Sequence, residues 1–233
     1  MTARQPLTRA PRIGILGGTF NPIHIGHLRS AEEVREAQQL DHVLFIPAAS
    51  PPHKTAGDLA PAAHRLAMTR LAVAGNRRFR VSTVDIDRGG RSYSVDTLRL
   101  LRARAPAAQF FFILGIDAFR EIATWRDYRS LFGLANIVVT SRPPALVPTP
   151  KTVLRTLLPV AARGEFCYRA RTRDLEHCTG NRIVFHRISD LEISASAIRQ
   201  RVHVHASIRY LVPASVERYI SRHGLYAREG HAH

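Results

Sequence analysis

GILGGTFNPIHIGHL, Gly14 to Leu28, joins an apolar run to a helical pattern through a small polar corner. The run stops at Gly17-Gly18, and beyond Pro22 two histidines, His24 and His27, stand three residues apart. The apolar run reads as a strand, while Leu28, Ala31 and Val34 recur at the spacing of one helix face. Glycine lets the chain turn with no Cβ in the way, so backbone N–H groups at the corner stay uncovered. The helix that follows adds its own unsatisfied N–H groups and the positive end of its dipole. Strand, corner and helix together predict an anion pocket at the carboxyl end of the first strand, where open α/β sheets bind ligands.

The corner is not a P-loop, since G-x-x-x-x-G-K-[ST] is absent, and it is not the G-x-G-x-x-G dinucleotide pattern. In place of a lysine it offers His24 and His27, which share a face at i and i+3. Gly26 between them allows a ligand close to the helix. A neutral imidazole donates one hydrogen bond and a protonated one adds charge, which suits a phosphorus centre gaining negative charge. One histidine alone would favour an ordinary exposed residue after a proline turn. P-x-H-x-G-H following a strand and G-G-T-F does not.

Outward from the corner, apolar runs alternate with helical patterns, which predicts βαβ units and a doubly wound, Rossmann-like parallel sheet. Strands are expected at 12–17, 42–48, 79–86, 109–115, 136–141 and 182–188, several apolar throughout, as in strands covered on both faces. Helices are expected in IGHLRSAEEVREAQ, PAAHRLAMTRLAVA and SVDTLRLLRARA. VPASVERYISRHGLY, opened by Pro213 and stopped at Gly224, reads as a closing helix. The proline-rich break RPPALVPTP (142–150) begins a weakly periodic stretch, 145–180, that reads as an insertion or flap. The core is therefore expected over 12–190, a small C-terminal helical extension over 191–226, and flexible tails at 1–11 and 227–233.

Composition excludes several classes. With 233 residues, 45% of them hydrophobic, the chain can bury a sizeable core. No apolar run approaches the roughly 20 residues of a membrane span, and MTARQPLTRAPR lacks a secretory apolar segment. Two cysteines exclude a disulfide scaffold and point to the cytoplasm. Cys167, His177, Cys178 and His186 lie close in sequence, but their spacing matches no paired C-x₂-C zinc pattern. The formal charge of +16 comes almost wholly from arginine, with Lys54 and Lys151 the two lysines, and it is spread along the chain. That dispersion weakens a nucleic-acid reading, which would also want basic residues interleaved with aromatic ones.

GGTFNPIHIGH resembles, at every position, the G-x-F-x-P-x-H-x-G-H signature of the nucleotidylyltransferase superfamily. ISASAIR, Ile193 to Arg199, resembles the superfamily's second signature, I-S-x-S-x-[IV]-R. Its Ser194 and Ser196 stand at a helix start, as caps and phosphate donors, and Arg199 one turn on carries a planar fork matched to phosphate oxygens. Within the superfamily the chain resembles the bacterial nicotinate-nucleotide adenylyltransferase family over most of 12–142 and again over 183–226. SPPHK (50–54), RSYSVDTL (91–98), LGIDAF (114–119), TW (124–125), SRP (141–143) and YLVPASVERYISRHGLY (210–226) carry the likeness. Ser94 departs from it where the family often has Thr, and Arg126 where some members have Tyr.

The resemblance implies in-line transfer of AMP from ATP to nicotinate mononucleotide, releasing pyrophosphate. His24, His27, Lys54, Ser196 and Arg199 would act on the phosphates. Gly17, Gly18, Thr19, Phe20, Gly26, Gly115, Asp117 and Ser194 would hold ATP, with Asp117 on the ribose or serving as a helix cap. His53, Ser94, Trp125, Arg126 and Arg142 would hold the mononucleotide. Trp125 would stack on the pyridine ring or fill the core, and the Ser94 turn would aim N–H groups at the carboxylate or simply cap its helix. Magnesium would ride on ATP oxygens with no protein metal site. The partners implied are these small molecules, not nucleic acid or membrane, with monomer or homo-oligomer left open. The alternatives are pantetheine-phosphate or nicotinamide-nucleotide adenylyltransferases and, more remotely, a basic nucleic-acid-binding protein.

Overall fold

β1 (Arg12–Gly18) runs down the middle of the sheet, where its Gly14 leaves room for close neighbours. A Cβ there would come within 2.8 Å of Leu40 and 3.1 Å of Val43. The computed structural model describes residues 9–51, 59–141, 149–172 and 174–227. β1 pairs in parallel with β2 (His42–Pro47) on one side and β4 (Gln109–Gly115) on the other. β3 (Phe79–Val81) extends the β2 side, and β5 (Asn136–Ser141) and β8 (Arg182–Arg187) extend the β4 side, all parallel. β6 (Phe166–Arg169) and β7 (Asp174–His177) add an antiparallel hairpin, giving the order β3-β2-β1-β4-β5-β8-β7-β6.

Helices cover both faces, which is why the strands read as continuous apolar runs. On one face α1 (Ile25–Ala37), α2 (Ala62–Val73), α9 (Ala195–His203) and α10 (Ala214–Arg222) bring Val34, Met68, Ile198 and Val216 onto Phe45 and Phe111. On the other, α3 (Val84–Arg88), α4 (Ser94–Arg104), α5 (Ile116–Arg120) and α6 (Tyr128–Leu134) bury Val84, Leu98, Phe119 and Phe132 against Phe110, Phe112 and Leu114. The result is the doubly wound α/β architecture expected, and the C-terminal α9 and α10 are part of its packing. Among the described residues no helix is long and apolar enough to cross a membrane.

One expectation needs correction. The strand foreseen over 79–86 stops at Val81, and α3 begins at Val84. Thr83 diverts the chain: its carbonyl accepts from the Asp87 N–H at 2.7 Å and its hydroxyl donates to the Asp87 carboxylate at 2.7 Å, a local pairing that competes with the ladder. In the 145–180 stretch, expected as an insertion or flap and with 145–148 and 173 outside the described residues, the described part packs into the core. α7 (Pro150–Thr152) leads through a π-helical turn to α8 (Val160–Arg163), and Val153, Leu158 and Ala162 are fully buried. Short elements of three to five residues carry too little periodicity to be read from sequence. In the hairpin that follows, His177 is buried between Glu165 at 3.0 Å and Thr179 at 2.8 Å.

Candidate active site

The chain visits β1, β2 and β3 on one side of the sheet and then crosses to β4 and β5 on the other, so β1 and β4 flank the switch point. Crevices outside the carboxyl ends of such a strand pair are where these sheets take ligands. Two adjoining cavities lie there, of about 340 Å³ and 500 Å³. Gly17, Gly18, Thr19, Ser94 and Trp125 line the first; His24, Gly26, Asp117 and Ser194 line the second. His27 and Gly115 line both.

His24 is the N-cap of α1, in extended conformation, with its ring buried. Its backbone N–H donates to His27 Nδ1 at 3.2 Å. An Nδ1 that accepts a bond leaves Nε2 as the protonated nitrogen of the neutral ring, so His27 is built to donate from Nε2. The two rings stack with centroids 3.6 Å apart, and Phe20 meets His27 edge-on at 5.2 Å. Gly26 is needed because a Cβ there would lie 3.1 Å from His24 Nδ1. Phe20 itself is buried and lines neither cavity; its contribution is to wedge His27.

The second motif meets the same corner from 170 residues away. Ser194 caps α9 by accepting from the Ala197 N–H at 3.1 Å, and its hydroxyl lies 3.2 Å from that of the exposed Ser196. Arg199 donates to the backbone carbonyl of Asn21, inside the N-P-I-H turn, at 3.1 Å. The buried Asn21 carboxamide oxygen accepts from the Ala60 N–H at 3.1 Å and from the Tyr226 hydroxyl at 2.9 Å. Burial raises the Tyr226 phenol well above its ordinary pKa, against the opposing pull of Arg199 and Arg65.

On the first cavity's far wall, Ser94 opens α4 and Trp125 follows a 3₁₀ turn, its ring edge-on to Phe112 at 6.2 Å. Arg126 turns away from the cavity, over the Tyr93 ring at 4.8 Å and toward Asp96 at 3.4 Å. Asp117 is exposed and 3.2 Å from Arg120. His53, Lys54 and Arg142 lie outside the described residues. Sequence reasoning missed Ser92, Asp85 and Thr97, which also line the first cavity. The Thr97 hydroxyl donates to the buried Asp85 at 2.5 Å, and Ser92 accepts from the Ala49 N–H at 2.9 Å. Their signal was faint: Thr97 is a polar residue between Val95 and Leu98 on a buried helix face.

A glycine corner, an H-x-G-H helix start and a capped serine–arginine helix around one crevice define a nucleotidyltransferase. The cytidylyltransferase-like family model matches residues 15–201. A Geobacter protein (strain M21) named "Probable nicotinate-nucleotide adenylyltransferase" is 50% identical over 92% of this chain and 98% of its own length. A Citrifermentans bemidjiense protein of the same name is 51% identical over the same shares. The nicotinic acid mononucleotide adenylyltransferase of Plasmodium falciparum, solved with NaAD, shares the fold at a TM-score of 0.68 and 16% identity, covering 93% of this chain and 97% of that one. The chain belongs to the cytidylyltransferase-like family, within its nicotinate-nucleotide adenylyltransferase branch.

Proposed function

We propose that the chain transfers the adenylyl group of ATP to nicotinate mononucleotide by direct in-line displacement. A phosphate oxygen of the mononucleotide attacks the α-phosphorus, the bond from that phosphorus to the bridging oxygen breaks, and pyrophosphate leaves with the electron pair. The nucleophile is already an anion near pH 7, so positioning and charge stabilisation supply the catalysis. The observation that carries the reading is that His27 borders both cavities, one with Ser94 and Trp125, the other with Asp117 and Ser194. In this reading the mononucleotide fills the first cavity, the adenosine end of ATP fills the second, and the α-phosphate sits at the shared wall.

His27 Nε2–H then donates to the α-phosphate, and His24 faces the departing phosphates. Ser196 and Arg199 receive the pyrophosphate at the start of α9, with Lys54 shared between the reacting groups. Glycines 17, 18 and 26 matter by what they lack, letting phosphate oxygens approach backbone N–H groups. Magnesium would be held by the oxygens of ATP and not by this chain's own side chains. The corner presents imidazoles, hydroxyls and N–H donors, a set suited to phosphate oxygens and not to a hard cation, and Asp85 and Asp117 are engaged with Thr97 and Arg120. When bound, it neutralises phosphate charge. The Plasmodium protein of the same fold has been solved with NaAD and with APC, which agrees with nucleotide ligands. The setting that goes with this reading is the cytoplasm, where Cys167 and Cys178 stay reduced.

The test is pyrophosphate release from ATP and magnesium with each acceptor in turn. Nicotinate mononucleotide should be preferred over the nicotinamide form, since N–H donors at the Ser94 turn select a carboxylate by charge. Equal rates with the two would remove the acceptor assignment. Release with phosphopantetheine instead would move the chain to another branch.

A further inference from the structure

Arg65, on α2, is 1% exposed and is the one buried arginine among the described residues. Its Nε donates to the Ala60 carbonyl at 2.9 Å. Nη1 donates to the carbonyls of Thr19 at 2.9 Å and Ala48 at 2.6 Å, and Nη2 to that of Ala49 at 2.8 Å. One side chain thus ties three separate segments: the glycine corner, the chain leaving β2, and the residue at the far side of 52–58. Burying a guanidinium is costly unless its donors are satisfied; here the carbonyls of Thr19, Ala48 and Ala49 lie just past the ends of β1 and β2, and that of Ala60 just before α2. Satisfying them would by itself be a stability role. Their location says more: Thr19 and Ala48 line the first cavity, together with Pro51, and a backbone bond from Ala48 N–H to the Gly18 carbonyl at 2.9 Å runs beside the clip.

We propose that Arg65 is a positioning residue for the acceptor mononucleotide: its fork fixes the Thr19–Ala48 wall of the first cavity. This rests on the assignment of that cavity to nicotinate mononucleotide. It touches no reacting atom. Its planar, five-donor head is required because carbonyls on three segments surround it, and an ammonium on a flexible stem cannot span them in the same geometry. The second cavity shares none of these carbonyls, so the ATP side should be insulated.

The test is steady-state kinetics of Arg65→Lys, which keeps the charge, beside Arg65→Met, which does not. The expected result for the lysine variant is a rise of about tenfold in KM for nicotinate mononucleotide, with KM for ATP within about twofold and kcat within about threefold of wild type. The methionine variant should show the same bias, more strongly, in whatever fraction folds. Unchanged KM values with a lowered melting temperature would make Arg65 a stability element only and overturn the proposal, as would a lysine variant that cannot fold. Equal rises in both KM values would overturn it too. Wild-type protein separates the two layers: no turnover of nicotinate mononucleotide would sink the functional reading and this inference together, whereas normal wild-type turnover with an unbiased variant sinks this inference alone.

Discussion

The imidazoles of His24 and His27 lie stacked, 3.6 Å apart at the centroids and 27° from parallel, the first buried and the second half-buried. The inner ring is a floor for the outer one, and the His24 N–H on His27 Nδ1 selects the outer ring's tautomer. A donor held this way needs no reorganisation as charge builds on a phosphate, which is where such groups contribute most to rate. His27→Ala should therefore lose at least about a hundredfold in turnover while its thermal unfolding stays close to wild type, because the ring is only partly buried. Pyrophosphate release and a melting curve on the same sample check both halves. Near-normal turnover would remove His27 from the mechanism.

Gly26→Ala separates activity from stability. A Cβ at this position meets the His24 ring at 3.1 and 3.2 Å, so the floor of the stack must shift by a few tenths of an ångström. Alanine in place of a helical glycine contributes roughly 0.5–1 kcal/mol to helix stability. The variant should melt no lower than wild type yet turn over about tenfold more slowly, through misplacement of the pair. Retained turnover would mean that the stack is not the working geometry.

Trp125→Ala tests which cavity takes the mononucleotide. The ring stands edge-on to Phe112 and faces the first cavity, away from His24 and Ser194. Removing it should raise KM for nicotinate mononucleotide by about tenfold, the scale of one lost base-sized stacking contact of about 1–3 kcal/mol. KM for ATP should barely move. A larger effect on ATP would exchange the two cavities.

Tyr226→Phe probes the tie between the C-terminal segment and the corner. The lost bond to Asn21 should cost about 1 kcal/mol, since Asn21 keeps its bond from Ala60. Burial holds the phenol's folded pKa above its ordinary value of about 10, so the neutral donor is favoured by folding. Its contribution is therefore complete below about pH 10 and is lost as the pH rises beyond that toward the folded value. Denaturant melts of both proteins should run parallel from pH 7 to 9.5 and converge above about pH 10. A gap that widens in alkali would contradict the assignment.

Much of the candidate site's arrangement was legible before folding because its contacts are local. Gly17, Gly18, His24, Gly26 and His27 lie within one strand-to-helix corner, and Ser194 caps the helix on which Arg199 rides one turn later. Apolar periodicity likewise found the parallel strands and the long helices. It failed where the signal is short or tertiary. α3 begins within what reads as a β-branched strand, and β6 and β7 are four residues each. Asp85 and Thr97 are ordinary polar residues until packing faces them onto the cavity. Arg65 had one available sign, an arginine on the same stripe as Met68 and Thr69.

From residue order alone came the chemistry of the corner, the alternation of strands and helices, and the family likeness, since each depends on groups within a few positions of one another. The three-dimensional packing decided which side of the switch point each group lines, that His27 borders both cavities, and that Arg65, Arg199 and Tyr226 converge on residues 19–21. Those contacts span 46, 178 and 205 positions. They arise when helices burying their apolar stripes on a twisted sheet carry distant polar groups to unsatisfied backbone at the strand ends, and no local pattern encodes that outcome.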